Sequence, residues 1–218
     1  MWGLNGVTMI LLFGGEKGGS GKSTLATNAA VYLQREGASV ILIDTDRQLT
    51  AANWAEVREE SEAPSLTCVS VLTNVAATIR KLSADYDHAV IDAGGRDSEQ
   101  LRAAMVVADR MVTPVKPSQA DLWTLDTMTE LVAMARGFNE GLDARVVLTM
   151  ASPHPKAVET EPVRAALAEL ETFTACEATI HHRKAYPNAL ALGLSVIEVG
   201  GEAAAKVETE SLMKELIA

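Results

Sequence analysis

The sequence predicts an α/β domain: a mostly parallel central sheet with helices on both faces. Three observations carry this. Short apolar runs alternate with longer stretches of helical periodicity along the 218-residue chain. The apolar runs are apolar throughout instead of alternating, as in strands covered on both faces. Strand–helix alternation of this kind joins parallel strands through crossovers.

Taken in order, the first predicted strand is 9–14. The residues before it, 1–8, lack the basic start and long apolar run of a signal peptide. They are expected to form a short leader, with the domain over 9–218 and with Met9 as an alternative start to Met1. A helix is expected at 22–36, with Gly37 where a C-terminal cap glycine belongs. Strand 39–43, helix 50–60, strand 66–70, helix 75–83 and strand 88–91 follow. Then come helix 98–107, strand 110–115, helix 121–135 and strand 145–149. Helix 159–171, a weaker strand near 173–178 and helix 202–217 complete the series. In such sheets ligands bind at the carboxyl ends of the strands. The chemistry is therefore expected just after Gly14, Ile43, Ile91 and Val115.

Composition limits the partners. Apolar residues make up 48% and charged residues 22%, which suits one globular domain. Aromatic residues are only 4%, too few for broad base-stacking platforms. The formal net charge is -10, so contact with DNA or anionic lipid requires a local basic patch. Cys68 and Cys176 stand alone and read as free thiols in a reducing compartment. No apolar run is long enough to span a bilayer, and a cytoplasmic location is expected. Trp2, Trp54 and Trp123 read as core or interface residues.

Between the first strand and first helix the chain reads Glu16-Lys17-Gly18-Gly19-Ser20-Gly21-Lys22-Ser23-Thr24. Glycines let successive backbone N–H groups turn inward around phosphate oxygens, and the helix N-terminus adds its positive dipole end. Lys22 is placed to reach the β- and γ-phosphates, and the Ser23 hydroxyl to bind Mg²⁺. This makes the chain a single-domain P-loop NTPase, with ATP and Mg²⁺ as its expected cofactors. Two later strands end in carboxylates: Ile43-Asp44-Thr45-Asp46 and Ile91-Asp92. A carboxylate there faces the phosphate site and can hold Mg²⁺ directly or through water. Ser23, Asp44 and Asp92 are the expected metal-site residues.

Two departures from the general loop pattern are informative. Glu16 replaces the first glycine, and Lys17 is an extra lysine. The loop resembles the deviant Walker A motif of the ParA/MinD group of ATPases. Asp44-Thr45-Asp46-Arg47-Gln48 resembles that family's D-x-D-P-Q, with Arg47 in place of proline. Asp92-Ala93-Gly94-Gly95-Arg96-Asp97-Ser98 falls where the family's second switch lies, and its glycines suggest a flexible loop. The segments 112–118 and 185–198 also match, so the likeness covers nearly the whole chain. It is strongest to small ParA-type partition ATPases without an N-terminal helix-turn-helix.

The resemblance implies an ATP-sandwich dimer in which Lys17 crosses to the partner's phosphates and Asp44 orients the attacking water. Lys17, Lys22 and Asp44 are then the catalytic set. It further implies non-specific DNA binding by the ATP dimer, and release when a centromere-binding partner stimulates hydrolysis. His181-His182-Arg183-Lys184 is a basic stretch with no acid near it in sequence, and Arg183 and Lys184 form the candidate DNA patch. The C-terminal helix carries more acids than bases, unlike the membrane helix of MinD-like proteins, so no membrane partner is expected. A positioning ATPase for a protein cargo, a MinD-like protein and a metabolic P-loop enzyme are the alternatives.

Overall fold

The computed structural model describes residues 9–95, 98–154 and 160–218. Seven strands and nine helices follow one another in those residues. They run β1 (Met9–Phe13), α1 (Lys22–Arg35), β2 (Val40–Asp44), α2 (Thr50–Glu59), β3 (Thr67–Ser70), α3 (Val75–Ser83), β4 (His88–Asp92) and α4 (Glu99–Met105). Then come β5 (Arg110–Val115), α5 (Gln119–Leu122), α6 (Thr124–Arg136), β6 (Asp143–Ala151), α7 (Thr160–Ala168), β7 (Thr174–His181), α8 (Ala185–Ala191) and α9 (Ala203–Ile217).

All seven strands form one parallel sheet in the order β3-β2-β4-β1-β5-β6-β7. The uniform apolarity of the strands is explained by what covers them. Ile10, Leu12, Ile41, Ile43 and Ile91 face one core, shared with α3, α4, α6 and α7. Leu11, Phe13, Leu42, Val90 and Val112 face the other, shared with α1, α2, α8 and α9. Successive residues of β1 therefore enter different cores, and a polar residue on either face would be buried.

Strand order places the site. From β1 the chain moves one way to β2, and from β5 it moves the other way to β6. The crevice at the carboxyl ends of β1 and β5 is thus a topological switch point. The two strands pair only from Leu11↔Arg110 to Phe13↔Val112. Pro114, beyond that pairing, lacks the N–H a ladder needs but has no β1 partner there to miss it.

Several expectations shift. The predicted helix 121–135 begins at Gln119 and is divided at Trp123, because the Ser118 hydroxyl caps the first turn by accepting the Asp121 N–H at 3.2 Å. Helix α8 was not expected; Pro187 sits in its first turn, where a missing N–H is tolerated. Strand β7 runs on to His181, its edge position giving it a mixed burial pattern that weakens the apolar signal. Gly37 has φ 94 and ends α1, with the Ala38 N–H bonded to the Leu33 carbonyl. Helix α9 docks on its own domain through Ala205, Thr209, Leu212, Met213 and Leu216. Cys68 is half-buried and Cys176 buried, both free, and burial pushes both thiols up to about 12. Among the described residues no helix is long and apolar enough to cross a membrane. The leader with Trp2, the helix start at Glu159, and Arg96 and Asp97 of the second-switch segment lie outside the described residues.

Candidate functional site

Three loops meet at the carboxyl end of the sheet: 14–21 after β1, 45–49 after β2 and 93–95 after β4. Those after β1 and β4 pack backbone to backbone. A Cβ on Gly95 would lie 3.1 Å from the Glu16 carbonyl oxygen and 3.3 Å from the Gly18 nitrogen. Gly95, read as flexible in sequence, thus sits where two loop backbones approach closely, and Gly94 lies against the Asp46 side chain. Thr149 of β6, which sequence reasoning missed, donates its hydroxyl to the Ser20 carbonyl at 2.9 Å and pins the far side of the loop.

Glu16, Lys17, Gly18, Gly19, Ser20, Gly21, Lys22, Ser23 and Thr24 form one continuous turn into α1. Gly21 caps α1 with φ 102, a conformation open to glycine, so no side chain occupies the helix N-terminus. Lys22 is 7% exposed, and its ammonium donates to the Lys17 carbonyl at 2.8 Å, folded back over the loop. Burial holds its pKa below the usual lysine value, while Asp92 and Asp46 act in the opposite direction. The Thr24 carbonyl accepts the Asn28 amide at 2.7 Å, and Asn28 in turn holds Ser195 at 2.6 Å.

Asp44 and Asp92 are both fully buried. Asp44 is satisfied by backbone: Oδ1 accepts the Asp46 N–H at 2.9 Å and Oδ2 the Ala52 N–H at 3.0 Å. It therefore caps the first turn of α2 from a distance, where Leu49 at the cap position supplies no side-chain bond. Burial raises its pKa, against those backbone bonds. Neither oxygen of Asp92 receives a hydrogen bond of good geometry among the described residues. Burial pushes Asp92 up to about 8; the nearby Ser23 hydroxyl lowers it, Asp44 and Asp46 raise it and Lys22 lowers it. A buried carboxylate with two unsatisfied oxygens beside a serine hydroxyl and a lysine fits a divalent cation bound to phosphate.

Lys17 points away from the loop interior. Its ammonium lies 2.7 Å from Oδ2 of Asp121, across the crevice between the loops after β1 and β5. Asp121 is 3% exposed and also accepts the Ser118 hydroxyl at 2.5 Å. Sequence reasoning missed Asp121, which looks like any acid in a helix's first turn.

The basic stretch after β7 needs a correction. No acid is near it in sequence, but α9 brings Glu208 onto it. Glu208 Oε1 accepts from Arg183 Nη2 at 2.6 Å and pairs with His181 Nδ1 at 2.8 Å. Arg183 is thereby charge-compensated, and only His182 and Lys184 of the four residues remain exposed. Trp54 lies in the core at 2% exposure, whereas Trp123 beside Asp121 is 65% exposed.

Known proteins share this fold. Residues 11–197 match the model of the CobQ/CobB/MinD/ParA nucleotide binding domain. The chain is 29% identical over 208 residues to the maintenance of carboxysome distribution protein A of Halothiobacillus neapolitanus, covering 92% of this chain and 93% of that protein. It is 28% identical over 166 residues to protein ParA of Rhizobium radiobacter, covering 73% and 72%. A Cyanothece McdA variant in complex with ATP superposes with a TM-score of 0.78 at 18% identity, over 96% of each chain.

Proposed function

Because the chain belongs to the CobQ/CobB/MinD/ParA nucleotide-binding family, we propose that it is a Mg²⁺-dependent partition ATPase whose ATP-bound dimer holds DNA non-specifically. The observation that carries this reading is the position of Lys17. An extra loop lysine serving its own nucleotide would turn inward, as Lys22 does. Lys17 instead stands 40% exposed on the open face, held by Asp121. There it is available to a second copy, whose phosphates it would reach as a charge clamp in trans.

In this reading Gly18, Gly19, Ser20 and Gly21 cradle the phosphates and Lys22 neutralises them. Ser23 and Asp92 hold Mg²⁺, which would offset the charge developing on the phosphate oxygens. Asp44 orients the attacking water while remaining anchored to α2. Hydrolysis is slow alone and is completed by a centromere-binding partner acting on the dimer. Dimerisation joins two weak basic patches, so an acidic chain gains DNA affinity only with ATP. In each patch Lys184 and His182 make the contact, since Arg183 is already compensated by Glu208.

A protein cargo is the second reading. It is favoured by the carboxysome distribution relative, whose likeness extends over nearly the full length of both chains. The test is retention on random-sequence duplex DNA with and without ATP across a salt series. ATP-dependent retention that falls steeply with salt supports the DNA reading. No retention at low salt, with dimerisation intact, assigns the dimer to another cargo.

A further inference from the structure

The loop after β5 carries a second lysine with no assigned task. Asp121 lies at the start of α5, and its carboxyl is 4% exposed. Lys17 and the Ser118 hydroxyl both bond to its Oδ2 atom, at 2.7 Å and 2.5 Å. If Lys17 leaves for a partner's nucleotide, the hydroxyl alone cannot neutralise the carboxylate. A buried charge stripped of its counter-ion is strongly destabilising. Release of Lys17 therefore needs a replacement cation.

Lys116 is placed to be that cation. It lies two residues before Ser118 on the same loop. Its ammonium stands 3.9 Å from where a Cβ on Gly19 would sit, so it reaches back over the phosphate loop that carries Lys17. The Lys116 carbonyl accepts the Ser118 N–H at 2.7 Å, but among the described residues its ammonium makes no hydrogen bond or ion pair, and its long aliphatic stem lets the ammonium swing. Burial works to raise the Asp121 pKa, but Lys17, Ser118 and the charge of Lys116 hold it below the usual carboxylate range. Lys116 is therefore within electrostatic range of Asp121.

We propose that Lys116 is a positioning residue that takes Asp121 over when Lys17 leaves it. The loop exchanges one lysine for another, and the carboxylate is never left uncompensated. This rests on the reading that Lys17 acts on a second copy's nucleotide. Without Lys116, Asp121 would hold Lys17 more tightly and the ATP dimer would form less readily.

The experiment is the dimerisation constant of the full chain with Mg²⁺ and a non-hydrolysable ATP analogue, measured by analytical ultracentrifugation. Lys116→Gln is expected to weaken dimerisation about tenfold, and Lys116→Arg to restore it to within about threefold. In an Asp121→Asn background, which has no charge to protect, Lys116→Gln should change it by less than about twofold. Either Lys116→Gln dimerising like wild type, or an undiminished loss in the Asp121→Asn background, would overturn the exchange. If wild type dimerises, Lys17→Ala does not and Lys116→Gln is normal, the exchange fails while the Lys17 reading stands. If wild type stays monomeric with the analogue, both fail.

Discussion

Asp44 and Asp92 are register partners at the carboxyl ends of β2 and β4, yet their carboxyls are in opposite conditions. Both are fully buried. Asp44 accepts one backbone N–H on each oxygen, and among the described residues Asp92 accepts none. The difference suits them to different tasks. A carboxylate fixed by backbone on both oxygens can orient a water with its remaining lone pairs. A carboxylate without partners is the one left for a cation.

Replacing Asp44 by alanine should therefore act on turnover and on α2 together. Phosphate release should fall by at least about 10²-fold, the usual scale for a water-orienting group. The first turn of α2 loses its remote cap, so stability should fall by about 1 kcal/mol. A phosphate-release assay and a denaturant titration read the two effects. Turnover within a factor of about two of wild type would remove Asp44 from the catalytic set.

The segment after α8 is held to α2 by an ion pair with little tolerance. Arg58, 1% exposed, donates two hydrogen bonds to the Glu198 carboxylate, at 2.8 and 2.9 Å, and its guanidinium carbon lies 5.3 Å from the centre of the Trp54 ring. Gly193 crosses directly over it with φ 66, and a Cβ there would lie 2.4 Å from the Arg58 nitrogen. Gly193→Ala should cost about 3 kcal/mol, from left-handed strain and backbone overlap together. Urea denaturation checks this, and an unchanged midpoint would show that the two segments separate freely.

His88 supplies a pH dependence far from the nucleotide site. It is 3% exposed at the start of β4, and among the described residues neither ring nitrogen has a hydrogen-bond partner. Burial lowers its pKa from 6.5, against a raising effect of Asp87. A lowered histidine pKa means that the unfolded chain binds the proton more readily. The neutral ring's contribution is full above pH 6.5 and is lost as pH falls below it. The loss is at most about 1.4 kcal/mol per pH unit, ending at the folded-state pKa. His88→Phe should flatten stability between about pH 6.5 and 5, as thermal melts across that range can show. An unaltered slope would assign the acid loss to other groups.

Much of the fold and site was legible because it is contiguous or periodic. The phosphate loop is nine adjacent residues between a strand and a helix, and Asp44 and Asp92 announce themselves by ending apolar runs. What could not be read depends on chain segments meeting in space. Asp121 lies 104 residues from Lys17, and nothing local separates it from a helix-capping acid. Glu208 is one acid among several on α9 until that helix lies against β7 and takes Arg183. Gly94 and Gly95 read as flexible, because sequence does not show which backbone will press against a glycine. Against Gly95 it is the phosphate loop itself, and against Gly94 it is the Asp46 side chain.

In the proposed dimer Lys17 serves a second copy of the chain. Light scattering with Mg²⁺ and ATP, on wild type and Lys17→Ala, tests it most directly. Wild type should appear at twice the 23.2 kDa chain mass. Lys17→Ala should stay at the single-chain mass while still binding a fluorescent ATP analogue. A Lys17→Ala protein that dimerises with ATP as wild type does would contradict it.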